Sequence, residues 1–268
     1  MTLRARPATP DDYPTYARLF PELGTGDPVP AAATWTAELR PTTRIYELAG
    51  LPVAYSYHER MRELAYVRNV VVDPAHRGRG LGRALMQLLA AELRAAGSTC
   101  WCLNVEPHNT AALRLYAGVG LRPRYRSYAV RLDWPAVDHL AADDLPLGTC
   151  PIDPSEDAAI EAAFTLPPGQ LASLRGNPRR VTLRLHDPDP SAPPPGFASF
   201  DPDFPGAYPF RVARPGLARP LLIALRPHAR PGTSMQLVIE DDEPLYHRLL
   251  AVGAALRLEI AHLRGDLS

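Results

Sequence analysis

A glycine-rich segment between a valine-rich stretch and a leucine-rich stretch constrains this chain more than any other feature. Three consecutive valines at 70–72 precede Asp73-Pro74, which predicts a buried strand over 65–72 that ends in a turn. Residues 76–82 then read His-Arg-Gly-Arg-Gly-Leu-Gly, and leucines recur at helical spacing over 81–93. The order of strand, glycine loop and helix predicts a mixed α/β unit with the loop at a strand-to-helix junction.

Such a loop is suited to bind a pyrophosphate. Its backbone N–H groups are unpaired, the helix dipole adds positive potential, and glycine lets a phosphate approach closely. A tight turn without a ligand is the alternative, but three glycines and two arginines in seven residues exceed what a turn needs. The nucleotide-triphosphate loop G-x-x-x-x-G-K is absent, and the G-x-G-x-G spacing without a following βαβ repeat disfavours a dinucleotide fold.

The elements around this loop extend the mixed α/β pattern over the first half of the chain. A strand over 99–105 leads to Asn109, which stands where an N-cap should stand before a helix over 110–117. Apolar and polar residues alternate over 124–132, which predicts a half-buried strand. The remaining predicted elements are helices over 11–20 and 31–39 and a hairpin of strands 43–48 and 53–58.

The second half repeats this order less regularly. Strands are predicted over 181–185 and 196–200, a helix over 218–225, and a strand at 237–240 before a helix over 244–251. An offset of 134 relates Glu106 to Glu240, Asn109 to Glu243 and Tyr116 to Leu250, which indicates duplication of a domain. The counterpart of the glycine loop, residues 211–220, contains two prolines and lacks two of the glycines. We therefore expect this half neither to bind the same ligand nor to catalyse.

Composition narrows the possible classes of function. The 29 basic residues balance 29 acidic ones, and no basic stripe with interleaved aromatics predicts nucleic-acid binding. All basic residues are arginines, so a lysine Schiff base is excluded. Cys100, Cys102 and Cys150 form no C-x-x-C pair, so we expect neither disulfides nor a metal site, and we read Cys100 and Cys102 as core residues. No apolar run is long enough for a signal peptide or a membrane span, so a cytoplasmic protein is expected.

Two motifs together make the first half resemble a known family. Arg77-x-x-Gly80-x-Gly82 follows the valine strand, and Asn109 and Tyr116 are spaced along the next helix, as in the GNAT superfamily of N-acetyltransferases. The resemblance implies two tandem GNAT-like domains, each with a mixed central β-sheet flanked by helices. Residues 1–133 would be the acetyl-CoA-binding domain, and 134–268 a degenerate copy whose layout is similar to tandem members such as mycothiol synthase.

The resemblance also implies a role for each matching residue. The pantetheine arm of acetyl-CoA would pair with the strand edge, and Asn109 would contact that arm or cap its helix. Tyr116 would lie beside the thioester sulfur and donate a proton to the departing thiolate, although an aromatic packing role is the alternative. The residues implied to bind acetyl-CoA are Val70, Val71, Val72, Arg77, Gly78, Arg79, Gly80, Leu81, Gly82, Arg83 and Asn109.

The general base is where the sequence departs from the family. Many relatives carry glutamate at the position of Arg68, and a fixed arginine cannot accept a proton. Glu63 is our first candidate, acting through water, and His58, Glu59 and Asn104 are weaker ones. Arg68 suits a carboxylate on the acceptor because its fork binds planar anions, and Asn104 is a second expected acceptor contact.

These residues support more than one function. The first is an N-acetyltransferase acting on a primary amine of a small molecule or peptide. The alternative is a non-catalytic acyl-CoA-binding or regulatory module, which the missing glutamate favours and the retained Tyr116 disfavours. A dinucleotide-dependent enzyme is a third possible function, and it requires that the loop binds a dinucleotide despite its G-x-G-x-G spacing. Either a monomer or a homodimer is compatible with the sequence.

Overall fold

The computed structural model describes residues 2–24, 27–145, 147–189, 192–203, 205–232 and 234–267. The chain folds into two compact units, of which unit 1 is Met1–Tyr125 with Ala261–Ser268 and unit 2 is Arg126–Ile260. Our predicted boundary lay after residue 133 instead. The difference arises because residues 127–132 pair with a strand at 235–240, and because the end of the chain returns to unit 1 as a strand. Local patterns do not encode such long-range pairings. Each unit contains a mixed sheet flanked by helices, which confirms the predicted fold class.

Unit 1 is a six-stranded sheet with helices on both faces. Its strands run in the spatial order β1-β2-β3-β4-β5-β12, and β4 and β5 are parallel while the other neighbours are antiparallel. The strands are β1 (Leu3–Pro7), β2 (Thr43–Leu48), β3 (Leu51–Met61), β4 (Leu64–Val72), β5 (Cys100–Val105) and, from residue 261 onward, β12 (Ala255–Asp266). The helices are α1 (Tyr13–Leu19), α2 (Ala32–Thr34, continued by a π-helical turn Trp35–Leu39), α3 (Leu81–Ala95) and α4 (Thr110–Ala117).

The two faces of this sheet bury different cores. Helices α3 and α4 cover one face, where the predicted periodicity of α3 buries Leu85, Leu89 and Leu93. Helices α1 and α2 cover the other, where Tyr16 stacks on Trp35 with ring centroids 4.3 Å apart. Side chains on a strand alternate between these faces, so each residue of β4 or β5 is directed to one core or the other.

Local chain reversals hold the sheet in register. The hairpin between β2 and β3 turns at Ala49 and Gly50, whose φ angles of 53° and 79° are typical of a two-residue I′ turn. This turn is shorter than the predicted one, so β3 begins two residues earlier, at Leu51. Gly97, predicted as the stop of this helix, follows the end of α3 and adopts a left-handed φ of 89°.

Unit 2 has a similar plan. Its strand order is β6-β11-β10-β9-β8-β7, with β10 and β11 parallel. The strands are β6 (Arg122–Leu132, in this unit from residue 126), β7 (Gly148–Pro151), β8 (Val181–His186), β9 (Gly196–Asp201), β10 (Gly206–Val212) and β11 (Met235–Glu240). The helices are α5 (Trp134–Val137), α6 (Asp157–Ala163), α7 (Gln170–Arg175), α8 (Ala218–Leu225) and α9 (Glu243–Ala251). Over the described ranges, no helix is long and apolar enough to cross a membrane.

Candidate active site

The central feature of unit 1 is a place where two parallel strands part. Strand β4 pairs with β5 from Leu64 to Val67, and the last partner is Leu103. Beyond Val67, β4 continues for five residues, of which the last four, Asn69 to Val72, pair with β3 alone. The edge of β4 that carries the three valines is therefore released from β5, as the resemblance implied for a strand that accepts an extended ligand.

A β-bulge marks the start of the released edge. Tyr57 is opposite Asn69 and His58 is opposite Val67, so Arg68 is an extra residue on β4. A bulge bends its strand and interrupts the ladder, which explains why β4 and β5 diverge at this point. Arg68 therefore lies where the site opens.

The released edge leads directly into the glycine loop. Gly78 and Gly80 both have φ 76°, a left-handed conformation that residues with a Cβ rarely adopt, and Gly80 is the N-cap of α3. An added Cβ on either glycine would meet no atom within 4 Å, so the surface in front of the helix is open. Gly82 differs, because its Cβ would lie 3.2 Å from Leu115, and its lack of a side chain serves the packing of α3 against α4.

The arginines of the loop have different environments. Arg77 donates from Nε to the carbonyl oxygen of Val72 (3.0 Å) and from Nη2 to Glu22 (2.8 Å), so its side chain fixes the loop to the end of β4. Arg79 and Arg83 are exposed and have no ion-pair partner among the described residues. These two guanidinium groups are the ones available to an anion at the start of α3.

Helix α4 carries the other two predicted residues. Asn109 caps it, with Oδ1 accepting a hydrogen bond from the backbone N–H of Ala112 (3.0 Å), which confirms the predicted N-cap. Tyr116 is 8% exposed and packs in the same cluster as Val67 and Leu103, the last paired residues of β4 and β5. Burial raises the pKa of Tyr116 to about 12, so its hydroxyl is protonated at neutral pH and can donate a proton.

Glu63 is not brought to this site. It lies in the turn before β4, where its carbonyl oxygen accepts the N–H of Thr99, and its side chain is exposed. Seven residues separate it from Val70, which is about 23 Å along a strand. We predicted Glu63 as a base acting through water because it is close to the site in sequence. In an extended strand, however, residues only a few positions apart are already far apart in space.

A polar network occupies the sheet face opposite α3 and α4. Glu59 accepts hydrogen bonds from the Tyr57 hydroxyl (2.8 Å) and from Arg68 Nη2 (2.9 Å), and Arg68 lies over the ring of Tyr66, 3.9 Å from its centroid. Asn104 donates to the Tyr66 hydroxyl (2.6 Å). The two predicted acceptor contacts, Arg68 and Asn104, are thus brought together through Tyr66. The Arg68 hydrogen bond lowers the pKa of Glu59, which stays ionised and is a poor base.

Sequence reasoning missed one contributor to this region. His262 of β12 is the cross-strand partner of Asn104, and its ring stacks on Tyr125 with centroids 4.3 Å apart. Burial lowers the pKa of His262 to about 4, so it is neutral at physiological pH. No local signal could reveal this residue, because its position depends on the register of a strand from the far end of the chain.

Comparison with known proteins agrees with this geometry. The sequence model of the acetyltransferase (GNAT) family matches residues 13–121, which include the released strand, the glycine loop and Tyr116. Residues 13–121 are therefore a domain of the GNAT family. A curated relative, the ribosomal protein bS18-alanine N-acetyltransferase of Escherichia coli K12, is 35% identical over 71 residues, which is 26% of this chain and 48% of that enzyme. The chain spans about a third to a half of the length of the first curated relatives that it matches.

Solved structures extend the likeness to the whole chain. A GCN5-related N-acetyltransferase from Sphaerobacter thermophilus aligns with a TM-score of 0.65 at 20% identity, over 99% of this chain and 96% of that chain. A tandem GNAT protein from the clavulanic acid biosynthesis pathway aligns with a TM-score of 0.56 at 19% identity, over 99% of both chains. At these identities the likeness concerns the fold alone, and it extends over both units.

The counterpart of the site in unit 2 has lost the features of the GNAT loop. Pro215 and Gly216 stand before α8, and a Cβ on Gly216 would overlap the Asp143 carboxylate, so the chain's own acid is packed against the start of this helix. Asp242, which accepts the N–H of Leu245, caps α9. Counting seven residues from each cap pairs Tyr116 with Leu249, and not with Leu250 as the offset of 134 predicted. The connection after the strand is shorter here, but a leucine stands at the position in either alignment.

Proposed function

We propose that this protein transfers the acetyl group of acetyl-CoA to a primary amine, using a single site in unit 1. The observation that carries the proposal is the continuity between the released edge of β4 and the open glycine loop. An extended pantetheine arm can pair with the edge after Val67 while the pyrophosphate lies on the N–H groups around Gly78 and Gly80. Arg79 and Arg83 supply the charge that a phosphate ligand needs.

The residues at the other end of this path suit acetyl transfer. A backbone N–H of the bulged strand near Arg68 can polarise the thioester carbonyl, and the Tyr116 hydroxyl can protonate the departing thiolate. The E. coli relative is an N-acetyltransferase of an alanine in a ribosomal protein, which agrees with an amine acceptor. In this proposal the amine loses its proton to water, because the carboxylate of Glu59 is held by Arg68.

That same ion pair favours the second candidate function, an acyl-CoA-binding module without catalysis. A carboxylate whose pKa is lowered accepts protons poorly, and His262 has a pKa of about 4. The two candidates share acetyl-CoA binding and differ in turnover. Release of CoA in the presence of amines, together with mass-spectrometric detection of an acetylated product, distinguishes them.

Calorimetric titration with acetyl-CoA tests the shared part. We expect one site per chain, and replacing both Arg79 and Arg83 by alanine should weaken binding by roughly 10- to 100-fold, since each removes a charge-assisted contact to phosphate. Arg4→Ala is the matched control, because Arg4 is an exposed arginine on β1, at the sheet edge farthest from the loop along β1-β2-β3-β4. Equal binding by the double variant and the control would contradict the proposal, as would no binding by the unaltered protein.

A further inference from the structure

The ion pair at the mouth of the site defines a substrate class more narrowly than a primary amine. Arg68 and Glu59 lie where β4 and β5 part, with 43% and 38% of their side chains exposed, so both charges can be reached by a ligand. Arg68 is fixed by two contacts, its Nη2 hydrogen bond to Glu59 and its position over the Tyr66 ring. Tyr57 fixes the other carboxylate oxygen of Glu59.

The pair retains capacity for a ligand. A guanidinium has five N–H donors, and a carboxylate has about four lone-pair sites, so the contact between them leaves both groups able to bind more. An acceptor carrying only a negative charge would be attracted by Arg68 and repelled by Glu59. An acceptor carrying only an ammonium would be attracted by Glu59 and repelled by Arg68. A ligand with an ammonium and a carboxylate on the same carbon atom satisfies both partners at once.

We infer that the acceptor is the zwitterion of a free α-amino acid, whose carboxylate binds Arg68 and whose ammonium binds Glu59. This inference rests on the proposed acetyl transfer. It also separates free amino acids from peptide termini, which have no carboxylate beside the amine, and from simple amines. Asn104, joined to the network through Tyr66, is a further polar group at the opening.

The reaction balances without a further reactant. The bound ammonium first loses one proton to water, since Glu59 remains ionised. The α-nitrogen then forms a bond to the acetyl carbon as the carbon–sulfur bond breaks, and the nitrogen loses its second proton to solvent. The thiolate takes a proton from Tyr116, which regains one from water. One acetyl-CoA and one zwitterion give one N-acetylamino acid, one CoA thiol and one proton.

Matched trios of acceptors test the inference. Each trio contains an amino acid, its amide and the amine formed by its decarboxylation. Three trios, based on alanine, methionine and phenylalanine, cover three sizes of side chain. We expect kcat/KM for the best amino acid to exceed that of its amide and amine by about tenfold or more, because only the acid engages Arg68. Arg68→Gln should bring this ratio close to one, whereas Arg4→Gln should leave it unchanged. Glu59→Gln should raise KM for the amino acid with a smaller change in kcat.

The outcomes separate this inference from the proposed function. Acetylation of amides or amines as efficiently as amino acids, or a ratio unaffected by Arg68→Gln, would overturn the zwitterion and leave acetyl transfer standing. Acetyl-CoA binding with no amino acid acetylated would also overturn it. Absence of acetyl-CoA binding would instead refute the proposed function. A loss of stability in Arg68→Gln cannot imitate the expected result, because it lowers activity toward acid and amide alike and leaves their ratio unchanged.

Discussion

Each unit contains a pair of parallel strands that is joined at its start and separates toward its carboxyl end, but the two openings differ in chemistry. In unit 1, β4 leaves β5 after Val67 and leads to a loop whose surface is open. In unit 2, the ladder between β10 and β11 covers only Gly206 and Ala207, and the loop that follows carries Pro215 and is covered by Asp143. The same backbone arrangement is thus present in both units, but the loop of unit 2 is covered where that of unit 1 is open.

The charged side chains around the two openings differ. Unit 1 presents the exposed arginines Arg79 and Arg83, whereas a cavity of about 320 Å³ in unit 2 is lined by Glu240, Asp241 and Asp242. Arg211, the cation of this cavity's lining, is already ion-paired with Glu240. An acidic lining repels the phosphates of CoA. Two units with the same plan therefore differ mainly at one loop, and we expect the residues of this loop to decide which unit binds an anion.

The largest expected effect is on the free energy of unfolding, and it tests whether the core of unit 1 depends on the strand at the end of the chain. Leu263 on β12 is 2% exposed and packs in the core beneath α3, so Leu263→Ala should lower the free energy of unfolding by about 2–5 kcal/mol. Leu258→Ala, on the same strand but 41% exposed, should change it by less than about 0.5 kcal/mol. Urea unfolding measures both. Equally small effects would mean that unit 1 does not depend on its returning strand.

The next largest effect is on kcat, and it compares one tyrosine on α4 of unit 1 with one on α9 of unit 2. Tyr116→Phe should lower kcat roughly 100-fold, since a general acid is lost, while acetyl-CoA affinity is preserved. Tyr246→Phe on α9, where the ring stacks on Tyr128, should leave kcat unchanged. Steady-state kinetics and calorimetry measure the two quantities. If Tyr116→Phe retained full kcat, Tyr116 would be a packing residue and the difference between the units would lie in the loop alone.

The sequence predicted the local parts of this architecture and missed the long-range ones. The bounds of α4 and α8 agree with prediction residue for residue, and the predicted cap at Asn109 follows from its place directly before the helical stretch. The bulge at Arg68 and the position of His262 depend on pairing with distant strands, so no local periodicity reports them. Glu63 is a candidate base because it is close to the site in sequence. It is far from the site in space, because the residues between them form an extended strand.

The blocked loop of unit 2 can be tested by a pair of substitutions. Gly216→Ala should destabilise the protein by roughly 1–3 kcal/mol, because the new Cβ overlaps the Asp143 carboxylate. In an Asp143→Ala background the same substitution should cost clearly less, since the carboxylate is gone and only the close approach to the backbone N of residue 143 (3.0 Å) remains. Thermal or urea unfolding of the four variants gives the coupling. Additive effects would show that Asp143 does not fill the space before α8.

The smallest expected effect is a difference in acid sensitivity between the units. His58 on β3 is 3% exposed, and its pKa is lowered from 6.5 by burial and by Arg44 and Arg60, with Glu92 opposing. The unfolded chain therefore binds a proton that the folded chain excludes, so stability falls as pH drops below about 6.5.

Replacing His58 by glutamine should make that fall shallower between pH 7 and pH 5, by at most about 1.4 kcal/mol per pH unit for one proton. His262 would still contribute, because its pKa of about 4 is also lowered by burial. His228→Gln in unit 2 is the control, since this histidine is exposed. Urea midpoints across pH measure the slopes. An unchanged slope for His58→Gln would show that the folded protein protonates this ring, and that the core beneath β3 admits a charge.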